Sequence, residues 1–354
     1  MNVRHDVPLG PLTTLRLGGV ARRMVDVEHR EDVAAAVREA DTRAEPLFVM
    51  GRGSNVVIGD DGFPGLAACM RIKGIDVRRH GSRVVIDVGA GEDWDALVDR
   101  SVIEGWTGLE CLSGIPGLVG ATPIQNVGAY GREVSQMLTR VHAFDRRTGA
   151  HADLDPTECA FGYRTSVFKG TDRWIVTGLE LTLEVSRESA PIQYDELARA
   201  LSVAPWGRAP AAQVRETVLA LRRAKGMVVD PDDPDSMSAG SFFVNPVVER
   251  SALVEIESRA GARPPCFDGG AGRFKVPAAW LVERAGFPKG WGRGRVGVSR
   301  KHALALVNRG AATTRELLAV ATEIREGVWS RFGVRLEPEP VLIGCSWEEN
   351  GLQG

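Results

Sequence analysis

The sequence has few cysteines, and their placement argues against a disulfide framework or a zinc site. Five cysteines occur among 354 residues, an odd number, and no two of them form a Cys-x-x-Cys pair. The six histidines show no metal-ligand spacing either. We therefore expect a reduced protein that binds no metal.

The sequence also lacks a long apolar run and an excess of charge of one sign. No segment approaches the roughly 20 apolar residues that cross a bilayer, and residues 1–10 lack the apolar core of a signal peptide. The 44 basic and 46 acidic residues leave a net charge of -2, whereas general binding to nucleic acid or anionic membranes needs a basic excess. We expect a cytoplasmic protein that binds neither membranes nor nucleic acid.

Glycine, in contrast, is abundant. The 41 glycines are about 12% of the chain against a typical ~7%. They are densest in residues 105–131, which carry few charges and show neither a helical nor a strand period. A loop this apolar is expected to be buried against a flat partner, to which its backbone N–H groups can bond.

The apolar spacing elsewhere predicts a mixed α+β architecture with more than one domain. Predicted strands lie at 47–50, 139–145 and 174–185, and on both sides of a turn at 80–82. Domain boundaries are predicted near 71–76 and within the Asp- and Pro-rich segment 228–240. The predicted helices are one over 31–40, one capped by Asp93, one from near Pro210 to Lys225, and one opened by the capping pair Thr313 and Glu316.

The glycine segment Gly51-Arg52-Gly53-Ser54-Asn55 follows a predicted strand and has two interpretations. Its backbone N–H groups and a serine hydroxyl can cradle a diphosphate, or the segment is an ordinary tight turn. A standard Rossmann site is disfavoured because Val56 occupies the place of the third glycine. A P-loop is excluded because no glycine precedes Lys-Ser/Thr at the required spacing.

Three further segments are ambiguous in isolation. Ser241 lacks the Gly-x-Ser-x-Gly context of a hydrolase nucleophile, which favours a turn residue. Residues 337–340 form a solvated turn or, because their flanks are apolar, bury a carboxyl whose pKa is then raised. The basic segment 289–301 is a solvated loop or one that holds a ligand's phosphates, and it lacks the interleaved aromatics of a single-strand nucleic-acid binder.

The order of five motifs along the chain is more informative than any one of them. The chain strongly resembles the UDP-N-acetylenolpyruvoylglucosamine reductases, also called UDP-N-acetylmuramate dehydrogenases, of bacterial peptidoglycan synthesis. The resemblance covers roughly residues 10–345 and is most specific in 116–131. The motifs are GRGSN (51–55), GLECLSGIPGLVGATPIQNVGAYG (108–131), FGYRTSVF (161–168), SAGSFFVNP (238–246) and LEPEPVLIG (336–344).

The resemblance implies an α+β fold in which a two-lobed FAD-binding domain of the vanillyl-alcohol-oxidase (PCMH) type is joined to a separate α+β substrate-binding domain. It implies lobe 1 at 1–72, lobe 2 at 73–225 with a C-terminal return at 334–354, and the substrate-binding domain at 226–333. The implied FAD-binding residues are Gly51, Gly53, Ser54, Asn55, Ser113, Gly117, Gly120, Thr122, Ile124, Asn126, Gly128 and Ala129.

The resemblance also implies a reaction in two halves, in which NADPH first reduces FAD and the enolpyruvyl ether of UDP-N-acetylglucosamine then receives the hydride. Arg164 would bind the substrate carboxylate. Glu339 would do so as a protonated acid, and its apolar flanks predict a raised pKa. Ser241 would deliver a proton to the carbon beside the carboxylate.

Substrate contacts are implied at Tyr130, Tyr194, Arg222, Lys225, Asn245 and His302, and a monomer or weak oligomer is expected. Two positions depart from certain relatives, which carry Arg at the place of Val341 and an amide at the place of His302. Two alternatives remain: another FAD-linked oxidase or lactone dehydrogenase of the same fold superfamily, and an inactive carrier of a flavin or nucleotide sugar.

Overall fold

The computed structural model describes residues 2–347, which fold into two compact units that are each discontinuous in sequence. The first unit takes residues up to 7, 22–52 and 64–228; the second takes 8–21, 53–63 and the chain from 229 onward. The predicted division into two lobes and a substrate-binding domain stays a prediction. Its outermost residues, 1 and 348–354, lie outside the described part of the chain.

Runs of strands are separated by single helices or helix pairs along the described chain. The α-helices are α1 (Arg30–Thr42), α2 (Trp94–Ile103), α3 (Asp195–Leu201), α4 (Ala211–Ala224), α5 (Arg250–Ala260), α6 (Ala278–Arg284) and α7 (Thr314–Phe332). The strands are β1 (Arg4–Pro8), β2 (Val20–Val27), β3 (Leu47–Met50), β4 (Val56–Ile58), β5 (Phe63–Met70), β6 (Ile75–His80), β7 (Arg83–Gly89), β8 (Trp106–Thr107), β9 (Gly128–Ala129), β10 (Arg132–Glu133), β11 (Leu138–Asp145), β12 (Ala150–Leu154), β13 (Trp174–Val185), β14 (Val247–Val248), β15 (Phe267–Asp268), β16 (Phe274–Lys275), β17 (Gly292–Arg293), β18 (Val296–Val298), β19 (Leu306–Asn308) and β20 (Val341–Ile343).

An antiparallel sheet of order β12-β11-β13-β7-β6, with β8 also paired to β13, forms the larger layer of the first unit. Alternate residues of β7, namely Val84, Ile86 and Val88, are fully buried on one face of this sheet. Helix α2 packs on that face through an apolar stripe that includes Trp94 and Leu97. The face therefore supplies the rigid support for the segments that leave β7 and α2.

A second sheet, of order β1-β2-β5-β3, carries helix α1. Strand β3 runs parallel to β5, with Leu47 opposite Leu66. Helix α1 buries Val33, Ala36 and Val37 against this layer, because these residues share one stripe of the helix. Strand β3 ends one residue before Gly51, so the first glycine segment emerges from the carboxyl end of a strand.

The second unit is built around α7. Its stripe, which includes Leu317, Ile324 and Val328, is buried in a core that also contains Leu15 and Val57 from the N-terminal part of the chain. Strand β4 pairs in parallel with β20. The residues that hold this core together are therefore far apart in sequence.

The predicted helices and strands are confirmed, with two corrections to the detail. Pro210 caps α4 from outside the helix instead of occupying its first position. The segment 289–301 is not a simple loop, because β17 and β18 pair within it and Arg293 forms an ion pair with Glu323. Among residues 2–347, every helix is too short or too polar to cross a membrane.

Candidate active site

The glycine-rich loop 113–122 is joined by backbone hydrogen bonds to the segment that links β7 and α2. Trp94 N donates to Gly117 O (3.2 Å), Val119 N to Glu92 O (2.9 Å) and Gly120 N to Ala90 O (2.9 Å). A Cβ at position 120 would lie 2.5 Å from the Ala90 Cβ, so glycine is required for this close approach. The N–H groups of Val119 and Gly120 thus bond to protein carbonyls, which corrects the expectation that the N–H groups of this loop are left for a flat partner.

The first glycine segment contacts the same loop. An ideal Cβ on Gly51 would lie 3.7 Å from Leu118 Cδ1, and Leu118 forms a β-bridge with Asp93. The Asp93 side chain accepts a hydrogen bond from Ala96 N at the start of α2 and also pairs with the Arg52 guanidinium. The first unit thus brings Gly51 and the loop 113–122 together.

These segments fit FAD by the chemistry that they present. Within the loop, Leu118 and Val119 are buried, whereas Ile124, Gly128 and Ala129 farther along are half-buried, small or apolar residues of the kind that line a site for a flat ring. Gly53 has φ +63°, which lets a tight glycine turn follow β3. Successive backbone N–H groups in such a turn suit a diphosphate.

Two residues predicted to bind FAD use their hydroxyls inside the protein. Ser113 Oγ donates to Glu110 O (2.7 Å), and Thr122 Oγ1 donates to Val119 O (2.8 Å). Both side chains are buried. They brace two short 3-10 turns, and a contact of either with a cofactor stays a prediction.

The side chain of Glu110, three residues before the loop 113–122, anchors this part of the chain to the start of the segment that carries Tyr194. The Glu110 carboxylate is 1% exposed and accepts hydrogen bonds from Gly108 N (2.6 Å) and Ala190 N (2.7 Å). Ala190 lies four residues before Tyr194, so a buried carboxylate joins the two segments.

Arg164 lies in a turn that is attached to Asn126 and Gly128, a few residues after the loop 113–122. Arg164 Nη2 donates to Gly128 O (3.2 Å), and its φ is +53°. The Asn126 side chain is 1% exposed and donates to Gly162 O (3.2 Å) and to Glu133 Oε2 (2.8 Å). The amide of Asn126 therefore links the loop to the turn, and a contact of Asn126 with FAD stays a prediction.

Two tyrosines and a lysine predicted to contact substrate lie together. The rings of Tyr130 and Tyr194 meet edge to face with centroids 5.5 Å apart, and Lys225 Nζ lies 5.8 Å from the Tyr130 ring centroid. Burial raises the pKa of Tyr130 to about 12, which keeps the phenol protonated at neutral pH. Lys225 Nζ also pairs with Glu196 Oε2 at 2.6 Å.

Arg222, one helical turn before Lys225, is a cation with incomplete hydrogen bonding. Its Nη2 donates to Met227 O (2.8 Å), whereas its Nε is buried and has no hydrogen-bond partner in the described structure. Burial lowers the pKa of this guanidinium. A partly buried cation with an unpartnered, buried Nε favours an anionic ligand.

In the second unit, Ser241 and Glu339 are joined through the backbone of one short segment. Ser241 forms a β-bridge with Ala305, and the neighbouring Phe242 accepts a hydrogen bond from Glu339 N (2.8 Å). Asn55 O accepts from Val341 N (3.0 Å), which places the end of the first glycine segment beside Glu339. The convergence of Ser241, Glu339 and Arg164 on one reacting centre stays a prediction.

The two other residues of the second unit predicted to contact substrate have structural contacts of their own. Asn245 Oδ1 accepts from Ala278 N (2.9 Å) and so caps α6. His302 Nδ1 accepts a hydrogen bond from Leu304 N (3.1 Å). Their contact with a substrate stays a prediction.

Thr14 is a residue of this region that sequence reasoning did not find. Its N–H donates to Gly53 O (3.1 Å), and its hydroxyl donates to Ser238 O (2.7 Å). It therefore joins the first glycine segment to the segment that leads to Ser241. The sequence around Thr14 contains no local pattern that indicates such a bridge.

Two protein-family models match parts of this chain. A family model described as an FAD binding domain matches residues 21–155, and one described as the UDP-N-acetylenolpyruvoylglucosamine reductase C-terminal domain matches residues 232–343. The chain is 49% identical over 349 residues to the UDP-N-acetylenolpyruvoylglucosamine reductase of Thermobifida fusca, covering 97% of this chain and 98% of that protein. It is 50% identical over 344 residues to the enzyme of that name from Salinispora arenicola, covering 96% and 95%.

A solved structure of the same description, from Thermus caldophilus, superposes with a TM-score of 0.67 at 25% identity and covers 97% of this chain and 99% of that one. Fold and matches together define the class of protein as an oxidoreductase with an α+β fold and an FAD-binding domain, as the sequence predicted. The sequence identity of about 50% to two relatives over almost their full length also defines the family. The chain belongs to the UDP-N-acetylenolpyruvoylglucosamine reductase family.

Replacing Glu110 by Gln is expected to lower the free energy of unfolding by about 2 kcal/mol, because one buried backbone N–H loses its charged acceptor and faces an amide NH2. Chemical denaturation measures the change. Glu104→Gln is the matched control, since Glu104 is exposed and lies 3.6 Å from Arg79, and it should change stability by less than about 0.5 kcal/mol. Equal losses in the two variants would contradict a special role of the buried carboxylate.

Proposed function

We propose that this chain reduces the enolpyruvyl ether of UDP-N-acetylglucosamine to UDP-N-acetylmuramate, with NADPH as the electron donor. The observation that carries the proposal lies within one unit: Gly51 contacts Leu118 of the glycine-rich segment 105–131, and the Arg164 turn bonds to Gly128 of the same segment. Bound FAD would supply hydride transfer between the two substrates. Gly51, Gly53 and their neighbours would hold its diphosphate, and the surface around Ile124 and Ala129 would support its ring.

Arg164 is proposed to bind the carboxylate of the enolpyruvyl group. When hydride adds to the terminal vinyl carbon, negative charge develops on the neighbouring carbon and on the carboxylate. A guanidinium is always charged and offers planar donors, so it stabilises this charge more in the transition state than in the ground state. Glu339 would add a hydrogen bond to the same group if it is protonated.

Ser241 is proposed to donate the proton that completes the reduction. A serine hydroxyl is a very weak acid, so it can act only on a strongly basic, enolate-like carbon. That requirement is met here because the charge develops next to a carboxylate. The same argument explains why Ser241 needs no His/Asp pair to activate it.

Tyr130, Tyr194, Arg222 and Lys225 are proposed to bind the nucleotide portion of the substrate. The unsatisfied Nε of Arg222 and the ammonium of Lys225 suit the two negative phosphates of UDP. The half-exposed Tyr194 ring, seated on Tyr130, suits a capping contact.

The absorbance of bound flavin reports on both halves of the proposed reaction. The purified protein should be yellow, its flavin absorbance should bleach with NADPH in the absence of oxygen, and the colour should return when the enolpyruvyl substrate is added. Anaerobic stopped-flow absorbance measures both steps. Return of colour with oxygen alone, and not with the enolpyruvyl substrate, would support the rival flavin oxidase, and a colourless protein that takes up no FAD would contradict both.

Ser241→Ala should leave flavin reduction by NADPH within about twofold of the wild type and slow reoxidation by the enolpyruvyl substrate by at least about 10³-fold, because only the second step needs the proton. Both rates are measured by stopped flow. Ser251→Ala, an exposed position on α5, is the control and should affect neither rate. Loss of both half-reactions in Ser241→Ala would count against the assigned role.

Glu196→Gln should lower the KM for the UDP-sugar several-fold, on the order of 1 kcal/mol of binding, because the diphosphate would no longer compete with a carboxylate for Lys225. Steady-state kinetics measure the effect. Asp195→Asn, the exposed neighbour at the start of α3, is the matched control. A raised KM in Glu196→Gln would show that the carboxylate assists binding instead of opposing it.

A further inference from the structure

We propose that Lys169 is a positioning residue, which holds the turn 162–165 in the conformation that directs Arg164. No step of the proposed reaction uses Lys169 itself. The inference rests on the proposed function, because it assumes that Arg164 binds the substrate carboxylate. Its structural content, a lysine that stabilises a strained turn, can be measured without any substrate.

The turn holds Arg164 in a conformation that its residue type disfavours. Gly162 N donates to Thr165 O (3.1 Å), and Thr165 N donates to Gly162 O (3.3 Å), so the four residues close on themselves. Arg164 occupies the third position with φ +53°. Positive φ at this position favours Gly or Asn, because the Cβ of other residues is crowded there. The turn therefore needs contacts from outside to persist.

Lys169 supplies a contact to the strained residue itself. Its Nζ donates to the main-chain oxygen of Arg164 at 2.9 Å, and the donor is charged. A flipped peptide after Arg164 would move this oxygen away from the ammonium. The bond therefore favours the observed backbone conformation, from which the Arg164 guanidinium reaches Gly128 O.

Two neutral contacts attach the same turn to the glycine-rich loop. Asn126 Nδ2 donates to Gly162 O (3.2 Å), and Ser166 Oγ donates to Ile124 O (2.7 Å). They fix where the turn lies, whereas Lys169 acts on the carbonyl of Arg164. Removing Lys169 should therefore loosen Arg164 while the turn stays attached to the loop.

The first experiment is amide hydrogen exchange by NMR on the full-length protein. In Lys169→Met, which keeps the aliphatic chain and removes the donor, the amides of Gly162 and Thr165 should exchange about tenfold faster than in the wild type. Lys73→Met is the matched control: Lys73 pairs with Glu92 at 3.3 Å on the surface, and its loss should not affect these two amides. Unchanged exchange in Lys169→Met would overturn the proposal.

The second experiment measures the two half-reactions. Lys169→Met should slow reoxidation of the flavin by the enolpyruvyl substrate about tenfold and leave reduction by NADPH within about twofold. Lys169→Arg keeps a charged donor and should restore most of the rate. If Lys169→Met does not fold, Lys169→Gln, which removes the charge with a shorter chain, takes its place in both experiments.

A double-mutant cycle separates positioning from a general structural effect. In an Arg164→Met background, removing Lys169 should cause no further loss of reoxidation rate, because the group that it positions is gone. The same tenfold loss in both backgrounds would overturn the proposal. If Arg164→Met alone reoxidises at the wild-type rate, the proposed role of Arg164 fails, and hydrogen exchange still decides whether Lys169 holds the turn.

Discussion

The burial of an apolar, glycine-rich loop is the constraint on which the arrangement of the first unit depends. Such a loop has no long helix or strand in which to pair its backbone, so its N–H and C=O groups must find partners elsewhere. Hydrogen bonds to Ala90, Glu92 and Trp94 supply them. Once the loop is fixed, the Gly51 segment lies against Leu118, and the turn of Arg164 is attached through Asn126.

Side-chain carboxylates extend this arrangement to the segments that surround it. Glu110 joins the loop to Ala190, and Asp93 both begins α2 and pairs with Arg52. Each carboxylate also accepts a hydrogen bond from a backbone N–H group, so that one charged side chain makes more than one contact. These two carboxylates therefore help to place the segments that carry the candidate binding groups.

Elements with a strong apolar period could be predicted from the sequence, whereas those fixed by distant contacts could not. Helix α7 has both a capping pair and a buried stripe, and its prediction is confirmed. The hairpin of β17 and β18 was not predicted. The Arg309 guanidinium packs against Gly292 and Gly297 in this hairpin, and no local sequence pattern indicates a contact with so distant a residue. The candidate site residues were predicted from the resemblance to a family and not from local patterns. The positive φ of Arg164 had no sequence signal at all, because this backbone region is uncommon for arginine.

The core of the second unit has a consequence for how the chain is made. Leu15 and Val57 leave the ribosome early, yet the core that buries them also contains Leu336 and residues of α7, which are synthesised more than 250 residues later. Until then the early strands expose apolar surface, and closing so long a loop is slow. We expect the nascent chain to depend on chaperones until β20 has been translated and can pair with β4.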